Sequence, residues 1–219
     1  MIDAVLFDVD GTLVDSNDLH AAAWQEAFRH FGLLVSFEAI RSQIGKGGDN
    51  LIPSLLPPEI ADRLQGDIEG FRSDLFQRDY LKRARPFPGA PELLQRLHGE
   101  GIHLVLASSA KRPELDYHIE RLGCADIVAA TTSADDVEHS KPCPDIFAVA
   151  LDKVRPLLNG GQAVVVGDTP YDIAAAAKIG LPAVAVRCGG FPEEELRDAA
   201  AIFDGPLELE QSFPAWLPR

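Results

Sequence analysis

The sequence predicts an α/β protein: a doubly wound parallel sheet with a helical segment inserted after its first strand. Three observations support that expectation. Short, continuously apolar runs recur at residues 4–7 (AVLF), 103–107 (HLVLA), 127–130 (IVAA), 163–166 (AVVV), 183–186 (AVAV) and 201–203 (AIF). Runs that stay apolar rather than alternating suit strands buried on both faces, as in a parallel sheet covered by helices. Helix-like stretches separate the later runs, which is the βαβ alternation of a doubly wound sheet. The gap between the first two runs, roughly 95 residues, is too long for one crossover helix.

Taken in order, residues 4–7 open the first strand. Residues 16–31 read as an amphipathic helix with Leu19, Ala23, Ala27 and His30 or Phe31 on one side, and residues 37–44 and 59–80 also read as helical. A stiff stretch at 85–89, RPFPG, brings the chain back. The expected organisation is therefore a sheet core from residues 1–15 and 86–219, with residues 16–85 as an inserted helical domain. Helices at 91–98, 113–122, 144–154 and 171–179 then lead into the second to fifth strands. Prolines near several of their starts fit the first helical turn. Gly101, Gly123 and Gly180 follow three of them as C-terminal caps would.

Composition narrows the function classes. The 219 residues include 34 acidic and 20 basic side chains, a formal net charge of -14. Such a chain repels nucleic-acid phosphates, and no Lys/Arg run offsets the field. No apolar run approaches the ~20 residues that span a bilayer, and no basic stretch precedes the first strand as in a signal peptide. Cys124, Cys143 and Cys188 are scattered, without metal-ligand spacing or a disulfide framework. The expectation is a cytoplasmic protein with no nucleic-acid or membrane partner, a monomer by size or a weak dimer at most.

In parallel sheets ligands collect at the carboxyl ends of the strands. Here those ends carry Asp8 and Asp10 in LFDVDGTLVDS, Ser108 and Ser109 after the second run, and Asp168 after the fourth with Asp172 four residues on. Lys141 falls in the loop after the third run. Any one of these aspartates could be a helix cap or turn former. Carboxylates converging on one point repel each other and need a counter-charge, which a hard cation such as Mg²⁺ supplies while also binding substrate phosphate. Asp8, Asp168 and the backbone carbonyl of Asp10 are the expected ligands. Lys141, Ser108 and the Gly11-Thr12 pair suit phosphate oxygens, the glycine by letting backbone N–H groups approach an anion. A serine nucleophile with a lysine base would leave the carboxylate cluster unexplained.

DVDGTLVDS, the Ser108-Ser109 pair, Lys141 before a proline, and GDTPYD at 167–172 together resemble the haloacid dehalogenase superfamily of phosphohydrolases, in the same order along the whole chain. The first motif is the most specific of the four, and the serine is weak alone. The resemblance implies a Rossmann-like core and makes the insert a small α-helical cap. It implies an aspartyl-phosphate on Asp8 and proton transfer by Asp10. It implies that Ser108, Ser109, Lys141 and the Gly11-Thr12 region hold the phosphoryl group, and that Asp8, Asp10, Asp168 and Asp172 serve Mg²⁺, the last in support. The substrate would be a small phosphorylated metabolite.

Two other readings stay open. The stretch HAAAW at 20–24 resembles a cap helix of the β-phosphoglucomutase type, in which His20 would face the cleft; the GDTPYD form fits the phosphatases better. Lys46, in IGKGGD at 44–49, could meet a distal anionic group of the substrate or stay solvated. A catalytically idle or phospho-accepting binding protein is the reading from another class, and Mg²⁺-dependent turnover of a generic aryl phosphate would separate it from an enzyme.

Overall fold

The computed structural model describes residues 2–217. Residues 1, 218 and 219, the outermost of the expected core domain, lie outside that range. The elements run β1 (Ile2–Phe7), β2 (Val14–Asp15), α1 (Asn17–His30), α2 (Phe37–Arg41), α3 (Gly48–Leu55), α4 (Pro58–Leu75), β3 (Arg85–Pro86), α5 (Ala90–Gly99), β4 (His103–Ala107) and α6 (Arg112–Leu122). They continue with β5 (Val128–Thr132), α7 (Asp145–Val154), β6 (Gln162–Gly167), α8 (Pro170–Lys178), β7 (Ala183–Val186), α9 (Glu193–Leu196), β8 (Ala201–Phe203) and α10 (Pro206–Ser212).

Six strands form one sheet in the order β5-β4-β1-β6-β7-β8, and every neighbouring pair is parallel. Alternate residues of each strand enter opposite cores, which explains why the runs are apolar throughout. Val5, Phe7, Leu104, Leu106, Val164 and Val166 pack with Leu93, Leu97 and Leu115 of α5 and α6 on one face. Leu6, Val105 and Val165 pack with Phe147, Ala150, Ile173 and Ala176 of α7 and α8 on the other. The chain reverses direction across the sheet between β1 and β4 on one side and β6 on the other. β1 pairs with both, so Asp8 and Asp168 leave the sheet side by side.

Between β2 and β3 the chain is helical and has apolar clusters of its own. Trp24, Phe28, Ile40, Leu51, Ile52 and Ile68 form one, and Leu75, Phe76 and Tyr80 a second. The two crossings between this segment and the sheet lie next to each other. β2 and β3 pair antiparallel, Val14 with Pro86 and Asp15 with Arg85, and Phe87 N donates to Leu13 O at 2.9 Å. Within the segment three elements differ from the sequence expectation. α2 ends at Arg41, where Ser42 N and Gln43 N close the last turn. The glycine-rich stretch at 44–49 leads directly into α3, a helix absent from the sequence expectation, with Gly47 at its N-cap. The long helix expected over 59–80 is α-helical only to Leu75 and widens to a π-turn over Phe76–Tyr80. No helix among the described residues is long and apolar enough to cross a membrane.

Candidate active site

The carboxyl end of β1 builds the first half of the site. Asp8 N donates to Val166 O at 2.8 Å, so Asp8 is still held by the sheet. The chain then folds back on itself: Leu13 N and Val14 N both reach Val9 O, at 2.9 and 3.0 Å. Gly11 makes this possible with φ +82°, where a side chain is strained and a Cβ would also strike Asn17 and Asp168. The turn swings Asp10 towards β4, where Ser108 Oγ donates to its Oδ2 at 3.1 Å and Ser16 Oγ to its Oδ1 at 2.7 Å.

At the end of β6, Asp168 is fully buried and Thr169 caps α8 in a reciprocal pair with Asp172. Asn17 Nδ2, from the first turn of α1, donates to Asp168 Oδ2 at 2.8 Å and to Gly189 O at 2.9 Å. Thr12 Oγ1 lies 3.1 Å from both Asp8 Oδ2 and Asp168 Oδ1. Lys141, 1% exposed, donates from Nζ to Asp8 Oδ1, and to Asp172 Oδ1 at 2.7 Å. One carboxylate oxygen each from Asp8, Asp168 and Asp172 lies within 4.8 Å of the others.

Three buried carboxylates thus share one ammonium, and the electrostatics follow from that imbalance. Burial pushes Asp8 well above the usual carboxylate range; Lys141 opposes the shift, while Asp172, Asp168 and Asp10 add to it. Burial and the neighbouring Asp172 raise Asp168 to about 7, against the hydrogen bonds from Asn17 and Thr12 and the charge of Lys141. Burial would lower Lys141, but Asp172 and Asp8 outweigh it and hold it charged. A cluster of hard oxygen donors with surplus negative charge fits a small divalent cation such as Mg²⁺.

Asp10 sits in a different field. Burial would raise its pKa, yet His20 and His118 hold it well below the usual value. His20 Nε2 donates to Asp10 Oδ1 at 2.9 Å, and its ring stacks on Phe76 with centroids 4.1 Å apart. His118 Nε2 is 3.5 Å from the same oxygen. Burial would lower His118; Asp10 and Glu114 reverse that and raise it.

The expected site residues therefore meet at one cleft mouth, though not all face it alike. Asp8, Asp10, His20, Lys46 and Ser109 line it together with Arg72 and Glu114. Gly11 N–H and Thr12 N–H are used inside the turn, on Val14 O and Val9 O, so this pair shapes the loop instead of offering those donors to a phosphate. Ser109 Oγ donates to Gly45 O at 3.3 Å and ties the helical segment to the sheet. Lys46 Nζ is held by Gln43 Oε1 at 2.5 Å and Ser54 Oγ at 3.0 Å, over the Tyr171 ring; partial burial lowers its pKa. Asp172 spends its oxygens on Lys141 and on Thr169, and so acts on the cluster through Lys141. Sequence reasoning missed Asn17, Arg72, Glu114 and His118. Only Glu114 and His118, four apart on the helix after Ser108-Ser109, carried a local signal.

The profile described as haloacid dehalogenase-like hydrolase matches residues 2–180. The chain belongs to that family. It is 31% identical over 193 residues to a phosphoglycolate phosphatase of Yersinia pseudotuberculosis, covering 86% of this chain and 82% of that protein. Over 209 residues it is 31% identical to the SUPPRESSOR OF QUENCHING 1 protein of Arabidopsis thaliana, 90% of this chain but 19% of that one. Among solved structures, a hydrolase from Pseudomonas syringae superposes with a TM-score of 0.86 at 28% identity, covering 95% of this chain and 96% of the other.

Proposed function

We propose that this hydrolase cleaves phosphate monoesters of small metabolites through an aspartyl-phosphate on Asp8. The observation that carries the reading is the pairing of two unlike carboxylates on one turn. Asp8 is buried against Lys141 and the Asp168 cluster, while Asp10 is held between two histidines and two serine hydroxyls. The first position suits a nucleophile, the second a group that moves a proton.

In this reading an oxygen of Asp8 attacks phosphorus as the ester oxygen leaves, and Lys141 offsets the charge between carboxylate and substrate. Asp10 delivers a proton to the leaving oxygen. In the cleft this proton comes from the histidine-bounded cluster, where His118 binds a proton more tightly than an ordinary histidine. Asp10 then takes a proton from the water that attacks the phosphorus of the intermediate, which restores Asp8. Mg²⁺, held by Asp8, Asp168 and the carbonyl of Asp10 and supported through Asp172, would neutralise charge on the phosphoryl oxygens. Residues 16–85 serve as a cap that excludes bulk water when closed. Phosphatase names among the relatives support the reaction class.

A phosphate-release screen of the purified protein with Mg²⁺, across metabolite phosphates and p-nitrophenyl phosphate, tests the reading. Free phosphate from a small set of compounds is expected. Conversion of β-glucose 1-phosphate to the 6-phosphate without release would replace it with a mutase. No turnover of any ester would leave a binding protein.

A further inference from the structure

Beyond helping to raise His118, Glu114 has no role in the mechanism above, and it is the most anomalous charged side chain in the cleft. It is 1% exposed, and among the described residues neither of its carboxylate oxygens has a hydrogen-bond partner. A buried unpartnered carboxylate is costly, and such groups are seldom left so without a function. Its neighbours compensate its charge but do not satisfy its lone pairs: His20 Nε2 is 3.7 Å from Oε1 and Arg72 Nη1 3.9 Å from Oε2. A Glu114 oxygen lies within 4.8 Å of an Asp10 oxygen. It therefore borders the point where the leaving oxygen would sit.

Arg72 supplies the complement. Its guanidinium is clamped over the rings of Phe76 and Trp24, 4.7 and 5.4 Å from their centroids, and one terminal nitrogen abuts His20 Nδ1. Its Nε is buried and has no partner among the described residues. The wall beside Asp10 thus holds two buried acceptors and one buried donor with no partner among the described residues.

Resting on the phosphatase reading, we infer that Glu114 is a substrate-binding residue that accepts hydrogen bonds from hydroxyls on the carbons next to the scissile ester, so that the substrate is a polyol or sugar phosphate. A hydroxyl both donates and accepts, which matches Glu114 and Arg72 Nε together. A second carboxylate or phosphate at this point brings no donor and faces the Glu114 charge. An ammonium group would satisfy Glu114 but meet the Arg72 guanidinium. The same guanidinium disfavours reading Asp10, His20 and Glu114 as a second cation site.

Matched substrates test this. The specificity constants of glycerol 1-phosphate and propyl phosphate, of sorbitol 6-phosphate and hexyl phosphate, and of phosphoglycolate are measured for the wild-type protein and for Glu114→Gln. The wild type is expected to favour the hydroxylated member of a pair by about 10²-fold or more, as a site built around substrate hydroxyls does. In Glu114→Gln that preference is expected to shrink at least about tenfold. A wild type that does not distinguish the pairs, or that prefers phosphoglycolate, overturns the inference whether or not the variant folds. A preference unchanged in a folded variant overturns the role of Glu114. Failure of the underlying reading looks different: p-nitrophenyl phosphate, which carries no hydroxyl next to its ester oxygen, would not be hydrolysed either, and both would fall together.

Discussion

The strand ends and the helical segment solve different problems with different materials. At the strand ends Asp8 and Asp168 are buried and bridged by Thr12 Oγ1, and Lys141, from the loop after β5, joins Asp8 to Asp172 of α8. The helical segment meets them through hydrogen bonds, among them Asn17 Nδ2 to Asp168 Oδ2 at 2.8 Å, His20 Nε2 to Asp10 Oδ1 at 2.9 Å, Asn50 Nδ2 to Ser140 O at 3.1 Å, Tyr171 OH to Ser42 O at 2.6 Å, and Ser109 Oγ to Gly45 O at 3.3 Å. It adds His20 and Arg72 from α1 and α4 to the cleft wall. Rigid backbone suits groups that must not move during phosphoryl transfer, whereas a surface joined by hydrogen bonds can separate to admit substrate. Under the proposed function, the contrast places the chemistry on the sheet side and recognition on the cleft wall against the insert.

Substitutions can break that division. The largest loss is expected at Asp8→Asn: turnover should fall by at least ~10³-fold, as when a nucleophile is removed, with the circular dichroism spectrum unchanged. Next comes Asp10→Asn. Alkyl phosphates, whose leaving oxygen needs a proton, should slow by ~10²–10⁴-fold, and p-nitrophenyl phosphate, with its good leaving group, by much less. Equal losses on both substrates would remove Asp10 from proton transfer. Asn50→Ala, on the insert side, should raise KM several-fold, about what one hydrogen bond is worth, and spare kcat. If its kcat fell as far as that of Asp10→Asn, the insert would be part of the chemistry and the contrast would fail.

The smallest effect is one of stability. Burial and the neighbouring Asp172 raise Asp168 from its ordinary value of 3.8 to about 7. An acid whose folded pKa is raised contributes stability that is present at low pH and is lost as pH rises through the folded value. Without metal, the melting temperature should therefore be higher at pH 5.5 than at pH 8, by on the order of a few degrees. Added Mg²⁺ should raise it more at pH 8, where the carboxylates are ionised, and narrow the gap. A melting temperature insensitive to Mg²⁺ at pH 8 would argue against a cation among these aspartates.

What the sequence made legible follows the same divide. The strands reveal themselves because each must be apolar on both faces, and the aspartates because they stand where those runs stop. Lys141 alone reads as an ordinary surface lysine; only the fold shows it sealed between Asp8 and Asp172. The insert was harder to read. Gly47 and Gly48 look like a flexible loop, yet they open α3, where Gly47 N donates to Ser140 Oγ at 2.9 Å and Gly48 packs closely on Glu69. The π-turn at Phe76, which sets the ring under His20, has no local signal in an otherwise helical pattern. Arg72 of α4 and Glu114 of α6 come together only in the folded chain, so no spacing along the sequence could have paired them.

The central claim is that the phosphoryl group passes through Asp8. It is tested most directly by quenching the protein with Mg²⁺ and a turned-over ester, reducing with borohydride, and mapping the peptides by mass spectrometry. An acyl phosphate at Asp8 predicts homoserine at position 8, dependent on substrate and absent from Asp8→Asn. Phosphate found on Ser108, or steady turnover with Asp8 never modified, would contradict the account.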